Sequence, residues 1–298
     1  MVAKFSLDDV CLSAGGVLIQ GERPEGKGAI VYSLEKIRPG DWFIAFSDSI
    51  KDGHDELKEA SERGACGAIV KRRSRYAYAP QGFPLVAVSD TRTAYFDLIG
   101  SYCKWVKPRV IGVTGTSGRR SAIFLMAHLL REKYSVHVSL VQGLNWMGCA
   151  ESILEMPEKS EVLIFEAQAI ERGEIAQIGG ALEPEIAVIT ECRHPLSSAS
   201  RDRAMAELYC EILETLSLED KARAVIFDDS SAARERAREI LSPEHLILHS
   251  QSNTEDLDAS LTESEIWSAV QVAQLLGLEE NIIKEVLAEL CSEEQVNA

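Results

Sequence analysis

Arg109-Val110-Ile111-Gly112-Val113-Thr114-Gly115-Thr116-Ser117-Gly118-Arg119-Arg120-Ser121 runs from an apolar strand through a glycine-rich turn into the opening of a helix. Glycines in that setting let the backbone turn tightly, so that successive N–H groups face one concavity, and the helix that follows adds its positive end. This is the context of a phosphate-binding loop. A working loop continues with Lys, which reaches the outer phosphates, and then Thr or Ser, whose hydroxyl holds magnesium. Here those places are taken by Arg119 and Arg120. Arginine keeps the charge but exchanges a compact ammonium for a planar fork. Arg120 has no hydroxyl, and Ser121 comes one residue late, about 100° around the helix. Three readings stay open: a turn that only joins strand to helix; an anion-binding nest of Gly112, Thr114, Gly115, Thr116, Ser117, Gly118, Arg119, Arg120 and Ser121; and a full nucleotide site.

Downstream of the loop the pattern alternates. A helix is expected from Ser121 to Lys133, strands over 135–141 and 161–166, a helix over 173–179 and a strand over 186–190. A helix over 202–216, a strand over 224–227, a helix over 231–241, a strand over 245–249 and two closing amphipathic helices complete the series. Such alternation predicts a mostly parallel sheet flanked by helices. Upstream, Lys107-Pro108 breaks a helix and sets the expected boundary between domains 1–107 and 108–298. From Leu7 to Val106 short apolar runs alternate with turn signals, giving strands at 17–19, 29–32, 42–45, 68–70 and 85–88 and helices over 53–63 and 91–105. The fold class expected is α/β throughout, a small N-terminal α/β domain followed by a P-loop-type central domain.

Composition narrows the function. With 47 acidic against 31 basic residues the net charge is −16, which repels a phosphate backbone, so nucleic acid is not an expected partner. No run approaches the ~20 apolar residues a membrane helix needs, and the N-terminus lacks a signal-peptide core, so no membrane insertion and a cytoplasmic location are expected. Seven cysteines without a C-x-x-C spacing read as reduced core residues, and six histidines show no metal-ligand spacing.

Beyond the loop, Tyr32-Ser33-Leu34-Glu35-Lys36-Ile37-Arg38-Pro39-Gly40-Asp41-Trp42-Phe43-Ile44-Ala45, Asp52-Gly53-His54-Asp55, Glu166-Ala167-Gln168, Arg172-Gly173-Glu174-Ile175 and Glu183-Pro184-Glu185-Ile186 follow one register. Over about residues 7 to 290 the chain resembles the Mur ligase family, its MurF branch most closely. The resemblance implies an ATP- and magnesium-dependent amide-forming ligase acting on a UDP-linked muramyl peptide. Carried over residue by residue, it assigns Ser33 and Asn145 to the substrate side, and Glu166 and His194 to metal. It also shows departures. Tyr32 and Leu34 replace the Asp and Arg beside the family's sugar-nucleotide serine, and the N-x-N-N-E-x-G loop shrinks to Gly143-Leu144-Asn145-Trp146-Met147-Gly148. The T-N-I-G-x-x-H-L run becomes Thr190-Glu191-Cys192-Arg193-His194-Pro195-Leu196. The carbamylated lysine falls at about Tyr209, the nucleotide's N-x-D-D reads Ile226-Phe227-Asp228-Asp229, and the H-N-x-x-N helix opening reads Ser264-Glu265-Ile266-Trp267-Ser268. Trp146, Tyr209 and Trp267 either fill the vacated nucleotide cleft or are ordinary core rings. The family's C-terminal ligase domain is expected to be absent.

These departures lead to the expectation of a degenerate relative, catalytically silent, serving as a binding or interaction module with a residual anion site and no intact catalytic residue. No cofactor is expected on that reading. The alternatives are an active ATP- and magnesium-using ligase completed by a separate C-terminal domain, and a regulatory subunit of a true Mur ligase. The partner expected is another protein, a Mur-type ligase or a pathway enzyme.

Overall fold

The computed structural model describes residues 2–47, 52–73, 76, 78–141, 146–169, 171–192, 198–227, 231–249 and 263–297, without the side chains of 146, 231 and 291–297. Two compact units divide the chain, residues 1–105 with 154–157 and residues 106–153 with 158–298.

In the first unit α1 (Leu7–Ala14), β1 (Val17–Gln20), β2 (Ile30–Val31), β3 (Trp42–Ile44), α2 (Leu57–Glu62), β4 (Gly67–Lys71), β5 (Leu85–Val88) and α3 (Thr91–Val106) follow in order. The sheet runs β1-β5-β4-β3-β2, with β1 antiparallel to its neighbour and the other pairs parallel. Helix α1 was not expected. Its signal is a capping box, Ser6 Oγ accepting from Asp9 N–H while the Asp9 carboxylate accepts from Ser6 N–H, and Leu7, Val10 and Ala14 buried at helical spacing. Phe43, Leu57, Ala68, Val70 and Leu85 form the core. Leu154–Pro157 belongs to this unit through Ala3 N–H to the Leu154 carbonyl (2.7 Å) and the Tyr102 hydroxyl to the Met156 carbonyl (2.5 Å).

One buried histidine makes this unit sensitive to acid. His54 Nε2 accepts from Lys71 N–H at 2.9 Å, so the ring proton sits on Nδ1 and is given to Asp52 Oδ1 at 2.7 Å. Burial holds the imidazole below its ordinary value of 6.5, with Arg73 adding to this and Asp52 and Asp55 opposing it. Burial alone raises the Asp52 carboxyl, but hydrogen bonds from Ser47, Arg73 and His54 outweigh it and hold the group well below 3.8. Both groups bind protons more weakly folded than unfolded. Their contribution is therefore complete above pH 6.5 and is lost as pH falls, first through His54 and then through Asp52. Urea unfolding at pH 7 and pH 5 is expected to show this loss. In His54→Asn the part that begins at pH 6.5 disappears.

In the second unit the order is β6 (Arg109–Thr114), α4 (Arg119–Leu130), β7 (Val136–Ser139), α5 (Trp146–Leu154), β8 (Val162–Glu166), α6 (Glu174–Leu182), β9 (Ile186–Ile189), α7 (Ala199–Tyr209), β10 (Arg223–Ile226), α8 (Ser231–Ile240), β11 (Leu246–Leu248), α9 (Glu263–Leu275) and α10 (Glu280–Asn297). Among the described residues its sheet is wholly parallel, in the order β11-β10-β9-β6-β8-β7. The chain leaves β6 toward one edge and β9 toward the other. Their carboxyl ends thus form a topological switch point, where open α/β sheets place ligands. Helix α5 was not expected, and the helix expected over 202–216 is α7 followed by a 3-10 turn over Cys210–Thr215. Ile111 and Val113 of β6, Ala122, Met126 and Leu129 of α4, and Ala269, Val272 and Ala273 of α9 share one apolar core. No helix among the described residues is long and apolar enough to cross a membrane.

Candidate functional site

At the carboxyl end of β6 the chain turns through Gly115 (φ +140°) and Gly118 (φ +73°), values that favour glycine. Gly118 is the N-cap of α4, which therefore opens at Arg119 rather than at Ser121. The loop lies pressed on the end of β9: a Cβ at Gly115 would stand 2.3 Å from Thr190 Oγ1 and 2.8 Å from the Glu191 carbonyl. Thr116 N–H donates to that carbonyl at 2.5 Å and its hydroxyl does so at 2.9 Å. The Thr190 hydroxyl lies 2.6 Å from the Ser117 carbonyl, and Ser117 Oγ donates to the Glu191 carboxylate. One amide of the cradle is thus already satisfied from within, and a carboxylate sits on the loop's serine.

The β6–β8 register pairs Val113 with Glu166, which brings Glu166 beside the loop with its side chain fully buried. Three donors meet its carboxylate. Arg119 Nε lies 3.3 Å from Oε1, Arg120 Nε lies 3.3 Å from Oε2, and Val141 N–H donates to Oε2 at 3.1 Å. Arg119 also reaches back with Nη1 to the Gly115 carbonyl, and Arg120 Nη2 donates to the Val141 carbonyl at 2.6 Å. Adjacent arginines on one helical turn thereby clasp one carboxylate between them. The Arg119 side chain is 15% exposed and that of Arg120 54% exposed, so only the second can turn readily to water. On the far side Glu265 of α9, itself buried, stands with Oε1 3.2 Å from where a Gly118 Cβ would be.

The rings expected near the cleft are packed. Tyr209 is buried, and burial lifts its phenol above the ordinary range while the Arg119 charge works against that rise. Trp267 stands 5.1 Å from the His249 ring and 5.9 Å from Phe227, whose ring lies 4.2 Å from His249. Phe227, Glu265 and Trp267 fall in the segments that the resemblance assigns to nucleotide contacts. The Trp146 side chain is outside the described residues.

Of the expected loop residues, Thr114 to Arg120 do converge. Ser121 is half-buried in the first turn of α4. Gly112 does not join them: it lies within β6, where a Cβ would meet Ile212 at 2.6 Å and Phe165 at 2.8 Å, so its glycine serves packing. The Thr114 hydroxyl is buried with no hydrogen-bond partner among the described residues. Ser33 lies in the first unit, half-buried at the N-cap of the 3-10 turn over Leu34–Lys36, with no capping bond from its side chain. Asn145, His194 and Asp228-Asp229 lie outside the described residues. Among those described no group of three or more His, Cys, Asp or Glu side chains is arranged to hold a metal. Sequence reasoning missed Glu191 and Glu265 as residues of the site. Glu191 was legible as an acid in place of the family's asparagine, whereas the Glu265 contact depends on how α9 docks on α4. The described cysteines are free, and burial pushes the Cys149 thiol up to about 12 and the Cys66 thiol up to about 11, which leaves both inert.

A model of the Mur ligase middle domain matches residues 113–280, more than half of the chain. The UDP-N-acetylmuramoyl-tripeptide–D-alanyl-D-alanine ligase of Treponema pallidum (strain Nichols) is 30% identical over 221 residues, 70% of this chain and 47% of that protein. The enzyme of the same name from Bacillus subtilis (strain 168) is 30% identical over 189 residues, 63% of this chain and 41% of that one. This chain thus spans less than half the length of these relatives. A crystal structure of MurF from Acinetobacter baumannii superposes with a TM-score of 0.79 at 19% identity, covering 96% of this chain and 67% of that one, a likeness of fold. The MurF ligase of Thermotoga maritima, solved in complex with ADP, gives 0.60 at 25% identity over 74% of this chain and 49% of its own. With that middle domain, that fold and those relatives, this chain belongs to the Mur ligase family and is MurF-like.

Proposed function

We propose that this chain is a catalytically silent Mur-type module that works by binding rather than by ligation. The observation that supports this is the clasp on Glu166. In the resemblance Glu166 is the magnesium carboxylate, and here two guanidinium groups and a backbone amide neutralise it. Magnesium demands near-octahedral oxygen ligation and gives up water reluctantly. To reach Glu166 it has to displace the enclosed Arg119 guanidinium as well as that of Arg120, and Arg120 offers no oxygen in place of the usual hydroxyl. Glu191 and Glu265 add negative charge at the same loop. On this reading the residues present do not fit a magnesium–triphosphate. What remains is a small anion site at the loop, served by the half-exposed Arg120. The partner proposed is another protein, a Mur-type ligase or an enzyme of its pathway.

The competing reading is an active ligase that joins D-alanyl-D-alanine to a UDP-N-acetylmuramoyl-tripeptide, as its relatives' names state, working together with a C-terminal ligase domain. The left-handed Gly115 and Gly118 favour it, because the loop keeps its shape. ATP hydrolysis and calorimetric ATP binding by the full chain, with and without magnesium, separate the two. One arm adds the C-terminal domain of a MurF. Silence predicts turnover at the buffer blank in every arm and no gain in ATP affinity from magnesium. Magnesium-dependent turnover that Gly118→Val abolishes establishes the competing reading.

A further inference from the structure

The first unit carries a cleft of about 360 Å³ between α1 and α3, away from its sequence motifs. Three of its lining residues are aromatic, and two of these, Phe5 and Tyr102, are buried and held by hydrogen bonds. Phe5 is 5% exposed, with its N–H given to the Gly28 carbonyl at 2.8 Å and its own carbonyl accepting from Trp42 Nε1 at 3.0 Å. Tyr102 is 2% exposed and anchored through its hydroxyl to the Met156 carbonyl. Trp105, one turn on, stands edge-on to Tyr102 with ring centroids 5.7 Å apart, yet is 57% exposed. An indole left in water beside an immobile ring is a preformed stacking surface, and its rigidity lowers the entropy cost of binding.

Charge at the rim specifies the rest. Asp9 is already committed: its carboxylate accepts from Ser6 N–H and Ser6 Oγ at 2.8 Å each and pairs with Lys27 at 3.2 Å. Lys4, which also lines the cleft, forms no ion pair among the described residues. An ammonium without an ion pair among the described residues thus lines the same cleft as an open indole, and the Asp9 carboxylate in that lining disfavours a second negative charge on whatever binds. The volume lies at the small end of the range for ligand sites, roughly 300–1,000 Å³, which suits a bicyclic ring with a short substituent rather than a dinucleotide.

We propose that this cleft binds a small planar aromatic monoanion, its ring stacked on Trp105 and its charge held by Lys4. The test uses the full chain with 2-naphthoate as probe and uncharged 2-naphthamide as control, followed by calorimetry and saturation-transfer NMR. Saturable one-site binding of 2-naphthoate is expected. Lys4→Ala should weaken it roughly tenfold, the value of a charge-assisted contact, and leave 2-naphthamide unchanged. Trp105→Ala should remove saturable binding of both. Both side chains are exposed, so both variants are expected to fold, and Lys4→Ala tests the charge independently of the ring. No saturable binding, or 2-naphthoate affinity untouched by either substitution, overturns the proposal.

Discussion

Glu166→Ala is expected to destabilise the second unit by about 3–5 kcal/mol, the cost of stripping the partner from a buried ion pair. The carboxylate is fully buried, and its removal leaves two guanidinium groups and the Val141 amide pointing at a void. The two arginines do not contribute equally. Arg120 is half in water and can rotate outward, so its share is discounted by solvent screening. Arg119 is enclosed, and its charge dominates the loss. Two further variants identify the cause. Arg119→Ala leaves Glu166 with Arg120 and an amide and should cost less, about 1–2 kcal/mol. The triple change of Glu166, Arg119 and Arg120 to leucine should recover most of the single-variant loss, because an apolar replacement leaves no orphan charge. Urea unfolding followed by circular dichroism reads all three. A cost for Glu166→Ala below about 1 kcal/mol, the range of an exposed pair, is incompatible with the clasp.

Gly115→Ala is expected to cost about 3 kcal/mol, and Gly118→Ala about 1 kcal/mol. Both glycines have positive φ, but their surroundings differ. A methyl at Gly115 runs into the Thr190 hydroxyl at 2.3 Å and the Glu191 backbone carbonyl at 2.8 Å, and that carbonyl is held by both the amide and the hydroxyl of Thr116. At Gly118 the three atoms nearest an added methyl all belong to the Glu265 side chain, at 3.2 Å or beyond, and none is backbone. The difference between the two variants, more than either value alone, reports that the loop is closed onto the end of β9. Equal costs in thermal unfolding contradict that closure.

How much of this was readable beforehand depended on the range of the interactions. Strand β6, the glycine turn and the helix that follows were legible because each is set by local chemistry: a run of Val and Ile, glycines where φ is positive, and apolar residues at helical spacing in α4. Helix α1, Leu7–Ala14, is equally local: Ser6 and Asp9 spell out its capping box, but it is short and a strand follows it at once. The site itself was half legible. That Arg119 and Arg120 had displaced Lys and a hydroxyl could be read directly. Where their guanidinium groups go could not, since the clasp joins residues 46 and 47 positions apart and exists only because the β6–β8 register sets Glu166 beside Val113. Glu265 depends on tertiary docking too, reaching Gly118 through the packing of α9 on α4.

Protein cations hold the Glu166 carboxylate, which the resemblance assigns to metal. A crystal structure of the full chain grown with ATP and manganese, read by the manganese anomalous signal, tests it most directly. No metal peak is expected within coordination reach of Glu166, with the Nε atoms of Arg119 and Arg120 still on its two oxygens. A manganese ion bonded to Glu166, with both guanidinium groups swung away and a nucleotide seated between Gly115 and Ser121, contradicts it.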